Sequence, residues 1–142
     1  EIKGGENIID ICAAPGGKTL HIADRLNDRK LNGGGKIISC DLTDAKTALI
    51  KENVERNGFE NVSVVKNDAL AFKKEWEDTA DIVIADLPCS GLGVIGKKCD
   101  IKYKTSIEDI NALSEIQREI LKNVSRYLKK GGQLLYSTCN IT

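Results

Sequence analysis

The sequence lacks several features that would place it in a common protein class at once. Its 142 residues include 21 basic and 21 acidic side chains, so the chain carries no net charge. A domain that holds nucleic acid through its own charge is usually basic. Any grip on nucleic acid must therefore come from a local patch or from further sequence. The chain also has no run of about 18 apolar residues, which argues against a membrane-spanning helix.

The cysteine and histidine content argues against a disulfide framework and against a zinc site. The five cysteines are odd in number and irregularly spaced, which is untypical of small disulfide-stapled domains and favours a reducing compartment. With one histidine and no Cys-x-x-Cys pair, no structural zinc is expected, and the site is predicted to hold no metal. The cytoplasm is the expected compartment.

What the sequence does contain is a regular alternation of short apolar segments with helical patterns. The apolar segments are rich in β-branched residues and bounded by turn residues, which predicts buried parallel strands at 7–12, 36–41, 62–67, 81–86 and 132–138. Helices are predicted at 17–29, 44–57 and 106–129, with at most a short helix over 70–77. This alternation predicts an α/β fold with a doubly wound, mostly parallel sheet.

Local signals place some of the helix ends. Asp44 is predicted to be the N-cap of the second helix, and Gly58 its C′ residue. For the longest helix, Ser106 to Asp109 resembles a capping box, and Gly131-Gly132 is predicted to end the helix.

Unusual residues cluster where the predicted strands end, which is where ligands bind in doubly wound sheets. The stretch "DICAAPGGKT" follows the first strand, and its Gly16 and Gly17 allow close approach of the backbone to a ligand at a helix N-terminus. The stretch matches neither the G-x-G-x-x-G dinucleotide pattern nor the G-x-x-x-x-G-K-[ST] phosphate loop. A ligand with a diphosphate is therefore disfavoured.

Two acidic residues complete the pattern of a nucleoside site. Asp41 ends the second strand, where a carboxylate accepts hydrogen bonds from ribose hydroxyls. Asp68 follows the third strand and is placed to meet the exocyclic amine of an adenine. Together with the glycine-rich turn they predict an adenosine site without a diphosphate, and S-adenosylmethionine fits this best.

Two cysteines stand at strand ends rather than within strands. Cys89 lies in "DLPCSG" after the fourth strand, and Cys139 in "YSTCNIT" after the fifth, whereas Cys40 lies inside a strand and is interpreted as a packing residue. A thiolate is a strong nucleophile, and a carboxyl such as Asp86 can support charge that develops on a bound base. The residues alone give the set Cys89, Cys139 and Asp86 without deciding which cysteine attacks.

The same segments resemble the successive motifs of the RNA cytosine-5 methyltransferases of the RsmB/Sun/NOL1 family, in order and spacing and across nearly the whole chain. The motifs are "DICAAPGGKT", "CDLTDAKTALIKENVERNG", "NDAL", "ADLPCSGLGVIGKKCDIKY" and "LLYSTCN". The fourth motif is most similar to the RsmB type, which modifies 16S ribosomal RNA. Cys99 stands where that subgroup usually has proline.

The resemblance implies a Rossmann-like methyltransferase core with strand order 3-2-1-4-5, truncated after the fifth strand. Residues 1–142 are expected to form a single domain, the central part of a catalytic domain without its RNA-binding segment and its last strands. The chain alone is expected to bind S-adenosylmethionine but to methylate RNA poorly. The expected partner is RNA, 16S ribosomal RNA by the RsmB-type motif, and no obligate protein partner is inferred.

The resemblance also implies roles for single residues. Cys139 would attack carbon 6 of cytosine, Cys89 would help to release the product, and Asp86 would lie between cofactor and substrate. The implied cofactor-binding residues are Cys12, Ala13, Ala14, Pro15, Gly16, Gly17, Lys18, Asp41, Asp68 and Asp86.

Three alternatives are open. An amino-methyltransferase of the same fold needs an Asp/Asn-Pro-Pro-aromatic turn, but "DLPCSG" has Leu87 and Cys89 at the key positions. A cofactor-binding ribosome-assembly factor without catalytic activity would have no need of two cysteines at strand ends. A nicotinamide-dependent oxidoreductase would need the diphosphate loop that is missing.

Overall fold

Strands and helices alternate along the chain as the sequence pattern predicts. The computed structural model describes residues 2–27, 34–87 and 107–138. The elements within these ranges are β1 (Asn7–Ile11), α1 (Gly17–Leu26), β2 (Lys36–Asp41), α2 (Asp44–Arg56), β3 (Val62–Lys66), a 3-10 turn (Lys74–Trp76), β4 (Ala80–Asp86), α3 (Ile107–Ser125) and β5 (Leu128–Ser137).

The five strands form one parallel sheet in the order β3-β2-β1-β4-β5. In register, Ile9 of β1 lies between Ile38 of β2 and Val83 of β4. The predicted doubly wound topology and strand order are therefore confirmed. The direction of winding reverses at β1 and β4, so their carboxyl ends border the crevice in which such sheets bind ligands.

Alternate residues of the central strands face opposite layers of helices. Ile8 packs with Leu26 of α1 on one face. Ile9 and Val83 share a core with Val124 of α3 on the other face. The helix α2 lies on the same side as α1, where it packs against β3. Because both faces are covered, the central strands have apolar residues at successive positions, as parallel sheets require.

The ends of α1 and α2 differ in detail from the prediction. The helix α1 ends at Leu26, with Asn27 as its C-cap, and not at residue 29. The N-cap of α2 is Thr43, whose Oγ1 accepts a hydrogen bond from the backbone N–H of Lys46 at 3.3 Å. Asp44, predicted as the cap, is the first helical residue. Gly58 has a φ of 69° beyond the C-cap, which confirms its predicted position.

The start of β5 corrects a larger part of the prediction. The last helix ends at Ser125, and β5 begins at Leu128, so Gly131-Gly132 does not end a helix. The pair lies in an irregular part of β5, between the partners Ala80↔Leu128 and Ile82↔Gln133. A Cβ on Gly132 would lie 3.0 Å from the carbonyl oxygen of Lys129, so the close backbone contact favours glycine. The predicted capping residue Ser106 lies outside the described ranges.

None of the helices in residues 2–27, 34–87 and 107–138 is long and apolar enough to cross a bilayer.

Gly35, which precedes β2, gives a test of this packing. A Cβ there would lie 2.8 Å from the carbonyl oxygen of Glu6 and 2.7 Å from Cδ2 of Leu26. The Glu6 oxygen accepts a hydrogen bond from Lys36 N–H at 3.0 Å, so it cannot retreat freely. We expect Gly35→Ala to lower the free energy of unfolding by about 1–3 kcal/mol, measured by urea denaturation.

The matched control is Gly17→Ala at the start of α1, where an added Cβ has no neighbour within 4 Å. Alanine is the better helix former, so this variant should be unchanged within about 0.5 kcal/mol or slightly stabilised. Equal unfolding midpoints for the two variants would contradict the packing described for Gly35.

Candidate functional site

The turn from β1 to α1, residues 12–18, is anchored to the end of β2. Ala13 N–H donates to the carbonyl oxygen of Cys40 at 2.9 Å, and Gly16 N–H donates to that of Ala13 at 2.7 Å. Cys12 and Gly16 have positive φ angles of 58° and 105°, which reverse the chain sharply before the helix. We call this segment the β1–α1 turn.

Asp41, at the end of β2, holds this turn through its side chain. Its Oδ2 accepts a hydrogen bond from Ala14 N–H at 3.0 Å, and its Oδ1 accepts one from Leu42 N–H at 2.8 Å. Lys46 Nζ lies 3.2 Å from Oδ1. The residue is only 3% exposed. Each carboxylate oxygen accepts about two hydrogen bonds, so Oδ2 keeps capacity for one more donor, such as a ribose hydroxyl.

Asp86, at the end of β4, connects the turn to β5. Its Oδ2 is ion-paired with Lys18 Nζ, and its Oδ1 accepts a hydrogen bond from Ser137 Oγ at 2.7 Å. Burial by itself would raise the pKa of the Asp86 carboxyl, but the hydrogen bonds from Lys18 and Ser137 outweigh it and hold the pKa below its usual value. Asp86 is therefore an anion near neutral pH. Lys18, which the family resemblance implies as a cofactor-binding residue, is paired with Asp86 in this structure.

The loop after β3 forms the wall of an apolar cavity of about 490 Å³. Leu42 and Leu70 line this cavity and are about half exposed, at 53% and 47%. Asp68 also lines it, and its Oδ1 accepts a hydrogen bond from Leu70 N–H at 2.9 Å. Asn123 of α3 donates from Nδ2 to the carbonyl oxygens of Ala69 and Leu70 at 3.1 and 2.8 Å. The helix thus fixes the loop that carries Asp68.

A second, narrower cavity of about 290 Å³ lies beneath the β1–α1 turn and includes Asp10 in its lining. Cys12, Ala14 and Asp86 line both cavities, which therefore form one elongated site with an apolar end and a polar end. Such a shape suits a nucleoside joined to a small charged group.

Asp10 is a site residue that the sequence analysis missed. It is 1% exposed, and its Oδ2 accepts a hydrogen bond from Thr19 Oγ1 at 2.6 Å, which in turn lies 2.8 Å from Ser39 Oγ. Within the described ranges, no group donates a hydrogen bond to its buried Oδ1. Burial raises its pKa to about 6, against the opposing effect of the Thr19 hydrogen bond. The available signal was a single acidic residue inside the apolar strand "NIIDI".

The two cysteines in the described part of the chain are not activated thiols. Burial raises the pKa of the half-buried Cys12 to about 11, and the nearby Asp41 adds to the effect. Burial also raises the pKa of Cys40, which is 1% exposed and lies 3.5 Å from the carbonyl oxygen of Asp10. Both thiols stay protonated near neutral pH, as expected for packing residues.

The predicted catalytic cysteines lie beyond the described ranges. Cys89, Cys99 and Cys139 are all outside them, as are the lysines of residues 97–104. The described residues that precede the two strand-end cysteines are in contact, however, because Leu87 N–H donates to the carbonyl oxygen of Ser137 at 3.0 Å. Each of these residues stands two positions before a cysteine, Leu87 before Cys89 and Ser137 before Cys139.

Comparison with known families agrees with this geometry. The family model of the 16S rRNA methyltransferases RsmB/F matches residues 1–142. The chain belongs to this family. The assignment confirms the resemblance seen in the sequence, the Rossmann-like methyltransferase fold and S-adenosylmethionine as the cofactor.

Curated relatives share substantial identity with this RsmB/F chain. It is 40% identical over 140 residues to the probable ribosomal RNA small subunit methyltransferase B of Bacillus subtilis, covering 98% of this chain and 30% of that protein. It is 38% identical over 141 residues to ribosomal RNA small subunit methyltransferase B of Vibrio cholerae, covering 99% of this chain and 31% of that protein. The chain thus spans about a third of the length of these relatives.

Solved structures show the same fold. The structure of NSun6 from Pyrococcus horikoshii with SFG superposes with a TM-score of 0.78 at 34% identity, covering 96% of this chain and 33% of that one. A methyltransferase homologue from Pyrococcus horikoshii gives a TM-score of 0.80 at 29% identity, covering 99% of this chain and 41% of that one.

The contrasting surroundings of Asp41 and Asp68 give a test of the site. Removing the Asp41 carboxylate leaves the N–H groups of Ala14 and Leu42 without their acceptor, so we expect Asp41→Ala to lower the free energy of unfolding by about 1–3 kcal/mol. Asp68 is exposed and supports only the local Leu70 N–H, so Asp68→Ala should stay within about 0.5 kcal/mol of the wild type. Urea denaturation of both variants measures the difference, and equal losses would contradict the anchoring role of Asp41.

Proposed function

We propose that the protein methylates carbon 5 of cytosine in RNA, with S-adenosylmethionine as methyl donor and 16S ribosomal RNA as substrate. The observation that carries the proposal is the contact between the ends of β4 and β5. Leu87 and Ser137 are hydrogen-bonded at 3.0 Å, and the sequence places a cysteine two residues after each. Two thiols at neighbouring strand ends, beside a cofactor site, suit a covalent reaction on a pyrimidine better than direct methyl transfer.

Each end of the elongated site is assigned to one part of the cofactor. At the apolar end, we assign Leu42 and Leu70 to contact the adenine. Asp68 is assigned to accept a hydrogen bond from the exocyclic amine of the adenine. Asp41 is assigned to accept a hydrogen bond from a ribose hydroxyl, because its Oδ2 can accept one more hydrogen bond. At the polar end, the β1–α1 turn, Cys12 to Lys18, is assigned the methionine part. When bound, S-adenosylmethionine supplies an electrophilic methyl group.

The chemistry requires a nucleophile because carbon 5 of cytosine is itself unreactive. The Cys139 thiolate adds to carbon 6, so that a sulfur–carbon bond forms and the electron pair of the 5,6 double bond moves to carbon 5. After carbon 5 has received its methyl group, its proton passes to solvent and the electron pair of the C–H bond re-forms the 5,6 double bond. The sulfur–carbon bond then breaks, and its electron pair returns to Cys139 as a thiolate. Cys89 is assigned to this release. The target base must be unpaired or flipped out to be reached.

Asp86 lies where the cofactor site meets the ends of β4 and β5. Because its pKa is held low in the pair with Lys18, it is a hydrogen-bond acceptor and not a proton donor in this arrangement. We therefore assign it to accept a hydrogen bond from the exocyclic amine of the target cytosine. This hydrogen bond, at the Watson–Crick edge, fixes the orientation of the base. Ser137 keeps the carboxylate in place.

Trapping on RNA that carries 5-fluorocytosine tests the division of roles between the cysteines. Fluorine cannot leave carbon 5 as a proton does, so the enzyme stays attached to the base. We expect a gel-stable protein–RNA adduct with the wild type, with Cys89→Ala and with the matched control Cys99→Ala, but none with Cys139→Ala. An adduct with Cys139→Ala but none with Cys89→Ala would mean that Cys89 attacks.

The modified nucleoside identifies the reaction itself. Digestion of 16S ribosomal RNA after incubation with the full-length protein, followed by mass spectrometry of the nucleosides, should yield 5-methylcytidine, with 23S ribosomal RNA as the control substrate. Methylation of the exocyclic nitrogen would support the amino-methyltransferase alternative, and equal labelling of both RNAs would contradict the choice of substrate.

A further inference from the structure

One face of α3 lines the apolar end of the site and then meets the loop after β3. Leu113, Ile116 and Ile120 line the larger cavity, and their spacing in the sequence places them on one side of the helix. Asn123 is the next residue of the same series and follows Ile120 by one turn of the helix. The helix face that bounds the cavity therefore ends in a polar side chain that reaches the loop.

The amide group of Asn123 holds this loop by two hydrogen bonds. Its Nδ2 donates to the carbonyl oxygens of Ala69 and Leu70 at 3.1 and 2.8 Å. Both partners are acceptors, and only the NH₂ group of an asparagine amide donates, so the partners fix the orientation of the amide. Ala69 is also buried in the same core as Ile120. The helix therefore sets the position of two loop residues that lie 53 and 54 positions away in the sequence.

The carboxyl group of Asp68 moves with this loop. Its Oδ1 accepts a hydrogen bond from Leu70 N–H at 2.9 Å, and its carbonyl oxygen accepts one from Ala71 N–H at 2.9 Å. Both hydrogen bonds are made within the loop, so they orient the carboxyl group relative to the loop but not relative to the cavity. A carboxylate has about four acceptor positions, so that of Asp68 can still accept a hydrogen bond from a ligand.

We propose that Asn123 is a positioning residue for adenine recognition, because its hydrogen bonds to the loop keep the Asp68 carboxylate at a fixed place beside the cavity. The inference rests on the adenine position assigned under the proposed function. With the loop fixed, the carboxylate meets the exocyclic amine of the adenine without first losing conformational freedom, a loss that weakens binding. Asn123 acts through the loop and does not itself touch the cofactor.

Two ligands that differ only in the exocyclic amine measure this role. One is S-adenosylhomocysteine, and the other is its 6-deamino analogue, which has purine in place of adenine. For the full-length wild-type protein, calorimetry should show that S-adenosylhomocysteine binds about tenfold more tightly, as expected for a hydrogen bond to a charged group. The ratio of the two affinities does not depend on the fraction of the protein that is folded. A loss of stability alone therefore leaves this ratio unchanged.

Two variants of Asn123 change the hold on the loop in different ways. Asn123→Ala loses both hydrogen bonds, and since alanine is the better helix former, α3 should persist. Asn123→Asp places a carboxylate of nearly the same shape against two carbonyl oxygens, which it repels. We expect the preference for S-adenosylhomocysteine to fall by about three- to tenfold in both variants. The matched control is Lys122→Ala, at the neighbouring exposed residue of α3, which should keep the wild-type preference.

The other outcomes separate this inference from the proposed function. A wild-type preference that Asn123→Ala retains would overturn the role of Asn123 and leave the proposed function standing. A preference lost equally in Lys122→Ala would overturn it too, because the effect would then not belong to the amide. Equal affinity of the wild type for both ligands would overturn the assignment of Asp68 to the adenine and this role with it. The analysis of methylated nucleosides would still decide the reaction.

Discussion

The attachment of the β1–α1 turn to the end of β2 is the constraint on which the rest of the site depends. Asp41 is buried, and its carboxylate accepts hydrogen bonds from the Ala14 and Leu42 N–H groups at 3.0 and 2.8 Å. Ala13 N–H adds a backbone hydrogen bond to Cys40. With the turn held there, α1 starts in the position that brings Thr19 over Asp10 and Lys18 to Asp86. The positions of the residues at the polar end of the site thus depend on the attachment of the β1–α1 turn to the sheet.

The sheet and the positions of the acidic residues could be predicted because both depend on short patterns. Runs of β-branched residues define buried strands, and in a parallel sheet the residue after each strand lies at the same edge. Asp41, Asp68 and Asp86 were found in this way. Their separate tasks were not visible, because Asp41 differs from Asp68 only in what packs around it. One of the N–H groups that Asp41 binds comes from the next residue, Leu42, but the other comes from Ala14 in the β1–α1 turn, 27 residues away.

Three features that the sequence pattern misplaced or left open depend on backbone conformation and on tertiary contacts. Thr43 and Asp44 are both good cap residues, and the extended backbone of Thr43, with φ −114° and ψ 153°, decides between them. Gly131-Gly132 resembles a helix stop, but the close approach of the chain at Lys129 and Asp81 favours glycine at position 132. Asp10 is a single acidic residue within an apolar strand, to which the sequence pattern assigned no role. Its meaning depends on a hydroxyl group from α1 and a cavity formed by four segments.

The hydrogen bond from Ser137 to Asp86 joins residues 51 apart in the sequence, whereas that from Ala14 to Asp41 joins residues 27 apart. A doubling of loop length costs only about 0.6 kcal/mol of closure entropy. The entropy of loop closure therefore hardly decides which of the two hydrogen bonds forms first. The direction of synthesis does decide it, because a chain made from its N-terminus can form the hydrogen bond between Ala14 and Asp41 before β5 has been synthesised. The part of the site that we assign to the nucleoside can then form first in the nascent chain. The strand that precedes Cys139 is added to a scaffold already shaped for its cofactor.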